Sequence, residues 1–468
     1  MNKENLLLIF ALIFVFMFVY SPHFDYEYPF HIDEWHHIEL ALKFRSHEIP
    51  LMEVGADFIL YIISKFVDLV KICAFLPALF AVLSSFILFY YLRKNNLIAA
   101  FLAIPLFALL PTNINLLGIW FLVPMTIVIP FFYLSLFIFE EALREENKKK
   151  LITSLILTAI AFTIHPPTAL VMIIAEFFLA LKERKLFNEK KNLAYISILI
   201  IPFLLYLKLF WKENFTKTFE FFWKYITFTK EFSFYYFNMN PILLFGIIPF
   251  LFAVVGLIKS FKIKRLQIFS FVLIFSTINL IIFTFFEITF VAHYQRVLYH
   301  FMLAAVPLSA TGFLAIYNNI KKLVKKRIYK TSLLIGMILL TIIPGLSNYY
   351  DLHRQARLYI LVKKDEIPAL EFVKTLPDGK IIAPLRIGNV LYPLIKKEPI
   401  AGLYWHSFQH DKVKKFYNES CEYKKTLIKQ ISIKYVFSED KINCSFLTNI
   451  YKNNSYVYSV NDSLILSD

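Results

Sequence analysis

The sequence predicts an α-helical polytopic membrane protein that carries a small α/β domain outside the bilayer. The chain is 58% hydrophobic and only 18% charged, with a mean hydropathy of +0.59, a composition that belongs to membrane proteins. Apolar runs recur near 6–21, 72–92, 97–111, 116–139, 151–164, 168–181, 193–211, 241–258, 268–286, 297–317 and 331–346. They imply about eleven transmembrane helices, several shorter than the roughly 20 residues that cross a bilayer squarely. From about residue 348 the composition changes, with 18 basic and 13 acidic residues up to the end, which is enough for a small folded domain. The expected domains are therefore 1–347, in the membrane, and 348–468, outside it.

An odd number of spans puts the two ends of the chain on opposite faces. With the N-terminus inside, the inner loops hold 22 Lys and Arg and the outer loops 10, the asymmetry expected of cytoplasmic and exported loops. The inner loops contain only seven acids, so nearly all of the net charge of +16 faces anionic membrane lipids. A nucleic-acid partner gets no support from it. Lys3 followed by Leu6–Val19 also has the outline of a signal peptide, but no small-x-small site precedes Ser21, so residues 1–21 read as a retained anchor. The expected location is a cell membrane or its equivalent, with a cytoplasmic N-terminus and an extracytoplasmic tail.

The first outer loop contains Pro29-Phe-His-Ile-Asp-Glu-Trp-His-His-Ile-Glu39. Asp33 and Glu34, with His31, His36 and His37, are costly to hold beside a bilayer. Chemistry is favoured here over an ordinary acidic helix start with surface histidines. Trp35, Ile38 and Leu42 recur at helical spacing and predict a short amphipathic helix on the membrane surface. Its first turn holds Asp33 and Glu34, where the helix dipole favours carboxylates. Asp33 stands three residues before His36 and four before His37, so carboxylate and imidazole share a face and can orient each other or bind a divalent ion.

Other polar residues fall on the same side of the membrane. His165-Pro-Pro-Thr168 interrupts two apolar runs as the tip of a helical hairpin, and Glu287, His293, Arg296 and His300 straddle the outer end of the tenth span. An outward-facing Arg suits a phosphate-bearing lipid, because guanidinium offers a planar fork of donors that never deprotonates. The bland alternatives are a capping role for His165 and a structural Glu287–Arg296 ion pair. Glu176 and Lys208 lie within apolar runs; Lys208 snorkels to the outer interface, and Glu176 receives no assignment.

Taken together, these residues resemble the GT-C superfamily of integral-membrane glycosyltransferases. The first span followed by Ile32-Asp33-Glu34-Trp35-His36-His37 is similar to the acidic loop of protein O-mannosyltransferases and aminoarabinose transferases. Leu76-Pro-Ala-Leu-Phe, Tyr90-Tyr-Leu-Arg-Lys94, the His165-Pro hairpin and the Arg296 segment follow the same plan, and an exported tail ends it. Oligosaccharyltransferase catalytic subunits share the topology but carry Trp-Trp-Asp-Tyr-Gly in the tail. The nearest stretch here, Leu403-Tyr-Trp-His-Ser-Phe408, does not match, which disfavours transfer to an Asn sequon.

The resemblance implies transfer of a sugar from a polyprenyl-phosphate donor to a lipid, glycan or protein acceptor of the cell envelope, with inversion if one displacement occurs. It implies Asp33 as general base, Glu34 as its partner or as a metal ligand, and Arg296, His293 and His165 as donor-phosphate contacts. Asp33, Glu34 and His37 form the candidate metal set, for magnesium or manganese, while His36 and Glu287 are further site candidates. No zinc-protease pattern is present around residues 31–39. The rival classes are a transporter or lipid flippase, and a non-catalytic scaffold. A transporter places polar groups near the midplane and often repeats its halves, whereas here they gather at one face and no repeat appears.

In the tail, a helix is expected near 366–376, ending at Pro377-Asp-Gly379. Strands are expected at Lys380–Pro384, Ser432–Phe437 and Ser455–Val460, with a helix around 411–430. Cys421 and Cys444 both fall in this exported part, where a disulfide between them is permitted.

Overall fold

The computed structural model describes residues 3–45, 53–112, 116–183, 227–229, 240–356, 360–403, 409–461 and 463. The chain packs as two units. The first comprises Met1–Glu27, Glu48–Ile59 and Cys73–Ala356, and the second comprises Tyr28–His47, Leu60–Ile72 and Arg357–Asp468.

In chain order the helices up to the middle of the sequence are α1 (Lys3–Tyr20), α2 (Ile32–Leu42), α3 (Val54–Ser64), α4 (Leu69–Ile72), α5 (Leu76–Leu92), α6 (Leu97–Ala108), α7 (Pro124–Glu145), α8 (Lys148–Ile164) and α9 (Pro166–Glu183). After the short strand β1 (Thr227–Thr229) come α10 (Pro241–Phe245), α11 (Ile247–Ile263), α12 (Gln267–Phe286), β2 (Ile288–Phe290), α13 (Tyr294–Leu323) and α14 (Arg327–Ala356). The apolar run 193–211 lies outside the described residues; the other ten runs all carry helix. Among the described residues, four helical stretches, Lys3–His23, Pro124–Glu145, Gln267–Phe286 and Tyr294–Leu323, are long and apolar enough to cross a membrane. The expected total of about eleven goes beyond these four.

Local chemistry sets the helix ends. Asn96 and Asn147 cap α6 and α8 by accepting backbone N–H groups of the first turn. Pro124 opens α7, and Glu146 closes it in the left-handed conformation at φ 53°. The expected helix 116–139 is therefore corrected: residues 116–123 are apolar but not helical.

Helix α13 forms the centre of the first unit, with nearly all of its membrane-length stretch buried. It packs most closely on α11 through two glycines. A Cβ on Gly256 would lie 1.9 Å from the carbonyl oxygen of Leu308, and one on Gly312 would lie 1.8 Å from that of Phe252. Such close backbone approach is how helices associate where no hydrophobic effect drives them together. By contrast, α1 leaves Leu7 and Phe10 about 60% exposed, as a lipid-facing helix does.

The second unit holds α15 (Ile367–Thr375), β3 (Lys380–Ile382), α16 (Leu385–Ile395), α17 (His410–Asn418), α18 (Cys421–Ile431), β4 (Ile433–Ser438), β5 (Leu447–Lys452) and β6 (Tyr456–Val460). Its sheet runs in the order β3-β4-β6-β5, with β3 parallel to β4 and the other pairs antiparallel. The core beneath it includes Val413, Phe416, Ile428, Val436 and Tyr458. The expected helix at 411–430 is two, because Ser420 caps a new start at α18. Strand β5 and helix α16 were not expected. Cys421 and Cys444 are disulfide-bonded. The boundary expected at residue 347 falls inside α14.

Two features staple this unit. Arg386 donates to both carboxylate oxygens of Glu366 and to Glu439, and Glu366 is only 2% exposed. Removing one partner strands a buried charge, so Arg386→Ala is expected to destabilise the unit by about 3–5 kcal/mol, read as faster limited proteolysis of this unit in the full chain. Unchanged protection would refute that role.

Helix α2 also belongs to this unit. Trp35, Ile38 and Ala41 are completely buried, and α2 packs on α16. Lys43, just past its end, bonds to Glu39 at 2.7 Å and to Glu398 at 2.9 Å, and sits 4.0 Å over the Tyr392 ring. The expected placement of this stripe on the membrane surface is corrected: protein covers it.

Candidate active site

The acidic loop is held by its own helix start. His31 is the N-cap of α2, and its Nδ1 accepts the N–H of Asp33 at 3.2 Å. Glu34 turns back and its Oε2 accepts the N–H groups of Phe30 and His31, both at 2.9 Å, completing a capping box. The indole N–H of Trp35 bonds to the carbonyl of Pro29 at 3.1 Å. Three consecutive residues thus fold Pro29–His31 onto the helix.

This arrangement separates the two acids. Glu34 is fully buried, and its bonds to backbone make it the former of the loop. The Asp33 side chain retains 32% of its exposure and lies 3.7 Å from His31 Nδ1. Because that nitrogen accepts the Asp33 N–H, it carries no proton toward the carboxylate, and we read the contact as a hydrogen-bonded cap and not as an ion pair. The rings of His36 and His37 lie 5.7 Å apart; His36 is partly exposed and His37 is 8% exposed.

The polar residues of the first unit form a separate constellation. His165 Nδ1 bonds to the Thr168 hydroxyl at 2.7 Å, and that hydroxyl reaches His300 Nε2 at 2.9 Å. On its other side, His165 Nε2 lies 3.6 Å from Glu53 Oε1. His165, Thr168 and His300 are all buried, whereas Glu53 is 28% exposed. Glu53 heads α3, with φ 63°, and Gly55 permits the approach: a Cβ there would lie 2.4 Å from the Thr163 hydroxyl. Asp57, one turn on, is fully buried. Glu53 and Asp57 did not stand out in the sequence, where two acids four apart around a glycine were the available signal, and Thr168 was named there only as part of the hairpin tip.

Arg296 has a task of its own. Its Nη1 donates to the carbonyls of Leu116 at 2.8 Å and Leu117 at 3.2 Å. Tyr299 accepts the N–H of Ile119 at 3.0 Å, and Thr126 bonds to the carbonyls of Gly118 and Phe121. Three residues from two helices thereby bond to the backbone of the apolar loop 116–123, which has no helical bonds of its own. Gly118 fits because a Cβ would lie 2.5 Å from the Tyr299 hydroxyl. Glu287 is exposed and ends α12 in the left-handed conformation, directly before β2, which pairs with β1.

His293 caps α13 and is held neutral, its pKa pushed from 6.5 down to about 4 by burial and by the charge of Arg296. The unfolded chain binds a proton in the window between those values that the folded chain refuses, so stability rises with pH across it. The melting temperature is expected to fall as pH drops from about 6.5 to about 4, and His293→Asn should flatten that slope. An unaltered slope in the variant would refute this.

Among the described residues, no group of three His, Cys, Asp or Glu side chains is gathered to hold a metal ion. With one oxygen of Glu34 accepting two N–H groups, the set Asp33, Glu34 and His37 does not fit an ion site built by protein alone.

No protein-family model matches the chain, and no curated protein matches it in sequence. Solved structures do match in fold. ArnT from Cupriavidus metallidurans in the apo state superposes with a TM-score of 0.61 at 11% identity, covering 97% of this chain and 98% of that one. The apo oligosaccharyltransferase of Archaeoglobus fulgidus superposes with a TM-score of 0.59 at 13% identity, covering 93% and 69%. Both are GT-C glycosyltransferases. The chain has the GT-C fold. Among solved GT-C structures similar to it, ArnT is bound to undecaprenyl phosphate (TM-score 0.59, 10% identity, 97% of both chains), and the archaeal enzyme has been crystallised with zinc and sulfate. The Leu403–Phe408 stretch, compared above with the oligosaccharyltransferase tail signature, has residues 404–408 outside the described residues.

Proposed function

We propose that this protein is a membrane glycosyltransferase that moves a sugar from a polyprenyl-phosphate donor to an acceptor on the extracytoplasmic face. The observation that carries the reading is the end-to-end GT-C fold, including likeness to an ArnT bound to undecaprenyl phosphate, together with an exposed aspartate on a rigidly capped first-loop helix.

Asp33 takes the proton of the acceptor hydroxyl as that oxygen attacks the anomeric carbon. The lipid phosphate leaves from the opposite face, which inverts the anomeric centre. Glu34 fixes the loop that presents Asp33. Arg296 and the neutral His293 act on the phosphate side, Arg296 by charge and His293 by hydrogen bonding. The His165–Thr168–His300 chain holds the hairpin tip, with Glu53 at its exposed end. The orientation with the N-terminus inside follows from the Lys and Arg distribution, and the domain outside the bilayer is the portion from about 348 onward.

The test is mass spectrometry of envelope glycans, glycolipids and glycoproteins from strains with and without the gene. Loss of one sugar from a product, with its polyprenyl-phosphate donor accumulating, is the expected result. An unchanged glycan set with a missing transported solute would instead identify a transporter.

A further inference from the structure

The end of the first unit that carries the basic loops contains a cavity of about 240 Å³ whose walls include Glu140, Leu143, Arg144, Leu179, Lys264 and Gln267, from α7, α9 and the α11–α12 turn. A smaller cleft beside it shares Arg144 and adds Lys94 and Arg265. Helix α9 runs between this end and the hairpin tip: His165 directly precedes its first residue, and Leu179 and Glu183 lie in its last turns.

The acids here are largely occupied by the fold. Both oxygens of Glu140 accept backbone N–H groups at the start of α12, from Leu266 at 2.8 Å and Gln267 at 2.6 Å. Glu141 is paired with Lys94 and Lys150. Arg144 lies 3.8 Å from Glu145 and its charge also acts on Glu140, and Arg265 donates to the neutral Asn95. Lys264 is exposed and held in the left-handed conformation at φ 51°. Glu183 also lines the larger cavity and can accept a bond from a hydroxyl-bearing headgroup.

Two of the lining residues are apolar, and further apolar side chains stand on the flanking helices. Leu143 and Leu179 are buried, and Phe178 stacks on Phe271, which meets Phe261 edge-on. Phe178, Leu181, Ile274 and Ile278 are each more than a third exposed along α9 and α12, a strip suited to acyl chains. Arg144 and Lys264 at the mouth, beside a Glu140 already bonded to backbone, and apolar surface along the flanking helices suit an anionic lipid.

We propose that this cavity binds the phosphodiester headgroup of an anionic phospholipid, with Arg144 and Lys264 on the phosphate and the acyl chains along α9 and α12. Because the donor site is not involved, the proposal stands or falls independently of the transfer reaction.

The test is native mass spectrometry of the full-length detergent-solubilised protein titrated with phosphatidylglycerol, with phosphatidylcholine as the control lipid. Wild type is expected to prefer phosphatidylglycerol. Arg144→Gln with Lys264→Gln should weaken that lipid by about tenfold or more, since each surface charge is worth roughly a fivefold factor, and should leave phosphatidylcholine unchanged. Arg144→Lys, which keeps the charge, should retain most of the binding and guards against misfolding of the double variant. Lys322→Gln, an exposed charge at the end of α13, should have little effect. Equal loss in Lys322→Gln would mean diffuse surface charge and overturn the site. Displacement of the lipid by equimolar inorganic phosphate would mark a site for soluble anions and overturn the lipid assignment. Unchanged binding in the double variant would do so outright.

Discussion

Asp33→Asn is expected to fold and insert like the wild type and to lose transfer by about 10²–10⁴-fold, the usual contribution of a positioned general base. The amide keeps the size of the side chain and removes the basic oxygen. Folding should be spared because the cap of α2 is made by the His31 ring and the Glu34 carboxylate, not by the Asp33 side chain. The measurement is restoration of the envelope product in a deletion strain, with fluorescence-detected size exclusion to confirm a monodisperse protein. A variant that restores the product fully would remove Asp33 from the chemistry. Glu34→Gln should behave differently: its loss of charge weakens two buried backbone bonds, so the yield of folded protein should drop along with activity.

Gly312→Leu is expected to abolish accumulation of folded protein. The new Cβ alone would stand 1.8 Å from the carbonyl oxygen of Phe252 and 2.7 Å from the backbone nitrogen of Gly256. Neither backbone atom can move without separating α11 from α13, the tightest pair in the first unit. Overpacking of an ordinary core costs about 1–3 kcal/mol, and a clash of backbone against backbone exceeds that range. Thermal unfolding followed by size exclusion would measure it. Gly336→Ala supplies the control: nothing lies within 4 Å of a Cβ there, so that helix should keep or slightly gain stability. Equal behaviour of the two variants would show that the α11–α13 contact is not as close as described.

The apolar runs located ten helices because a membrane helix must satisfy its backbone internally over a long apolar stretch. The same rule misled at 116–123. That segment is as greasy as a helix, yet its backbone groups are satisfied by Arg296, Tyr299 and Thr126, and the first two are about 180 residues away. Nothing local reports such a partner. At α2, the repeat of Trp35 and Ile38 announced a covered face without naming the cover. Amphipathy is a one-body property, and the choice between bilayer and α16 is a two-body one.

At the candidate site the chain announced Asp33, Glu34, His165, His293 and Arg296, since acids, imidazoles and a guanidinium beside a bilayer are costly enough to stand out in composition. Their division of labour did not show. Adjacent acids one residue apart on a helix point about 100° apart, so one faces solvent and the other its own N-terminus; which is which depends on where the helix begins, and His31 decides that. Glu53 escaped notice because its meeting with His165 depends on Gly55 lying against Thr163, a contact between segments more than a hundred residues apart. The sequence by itself determined the membrane character, most of the long apolar helices and an acidic first loop, all consequences of local composition and period. Only the tertiary structure decided which acid stays exposed, which arginine holds a loop and which glycines let helices touch, because each of those is a distance between residues that the chain order leaves free.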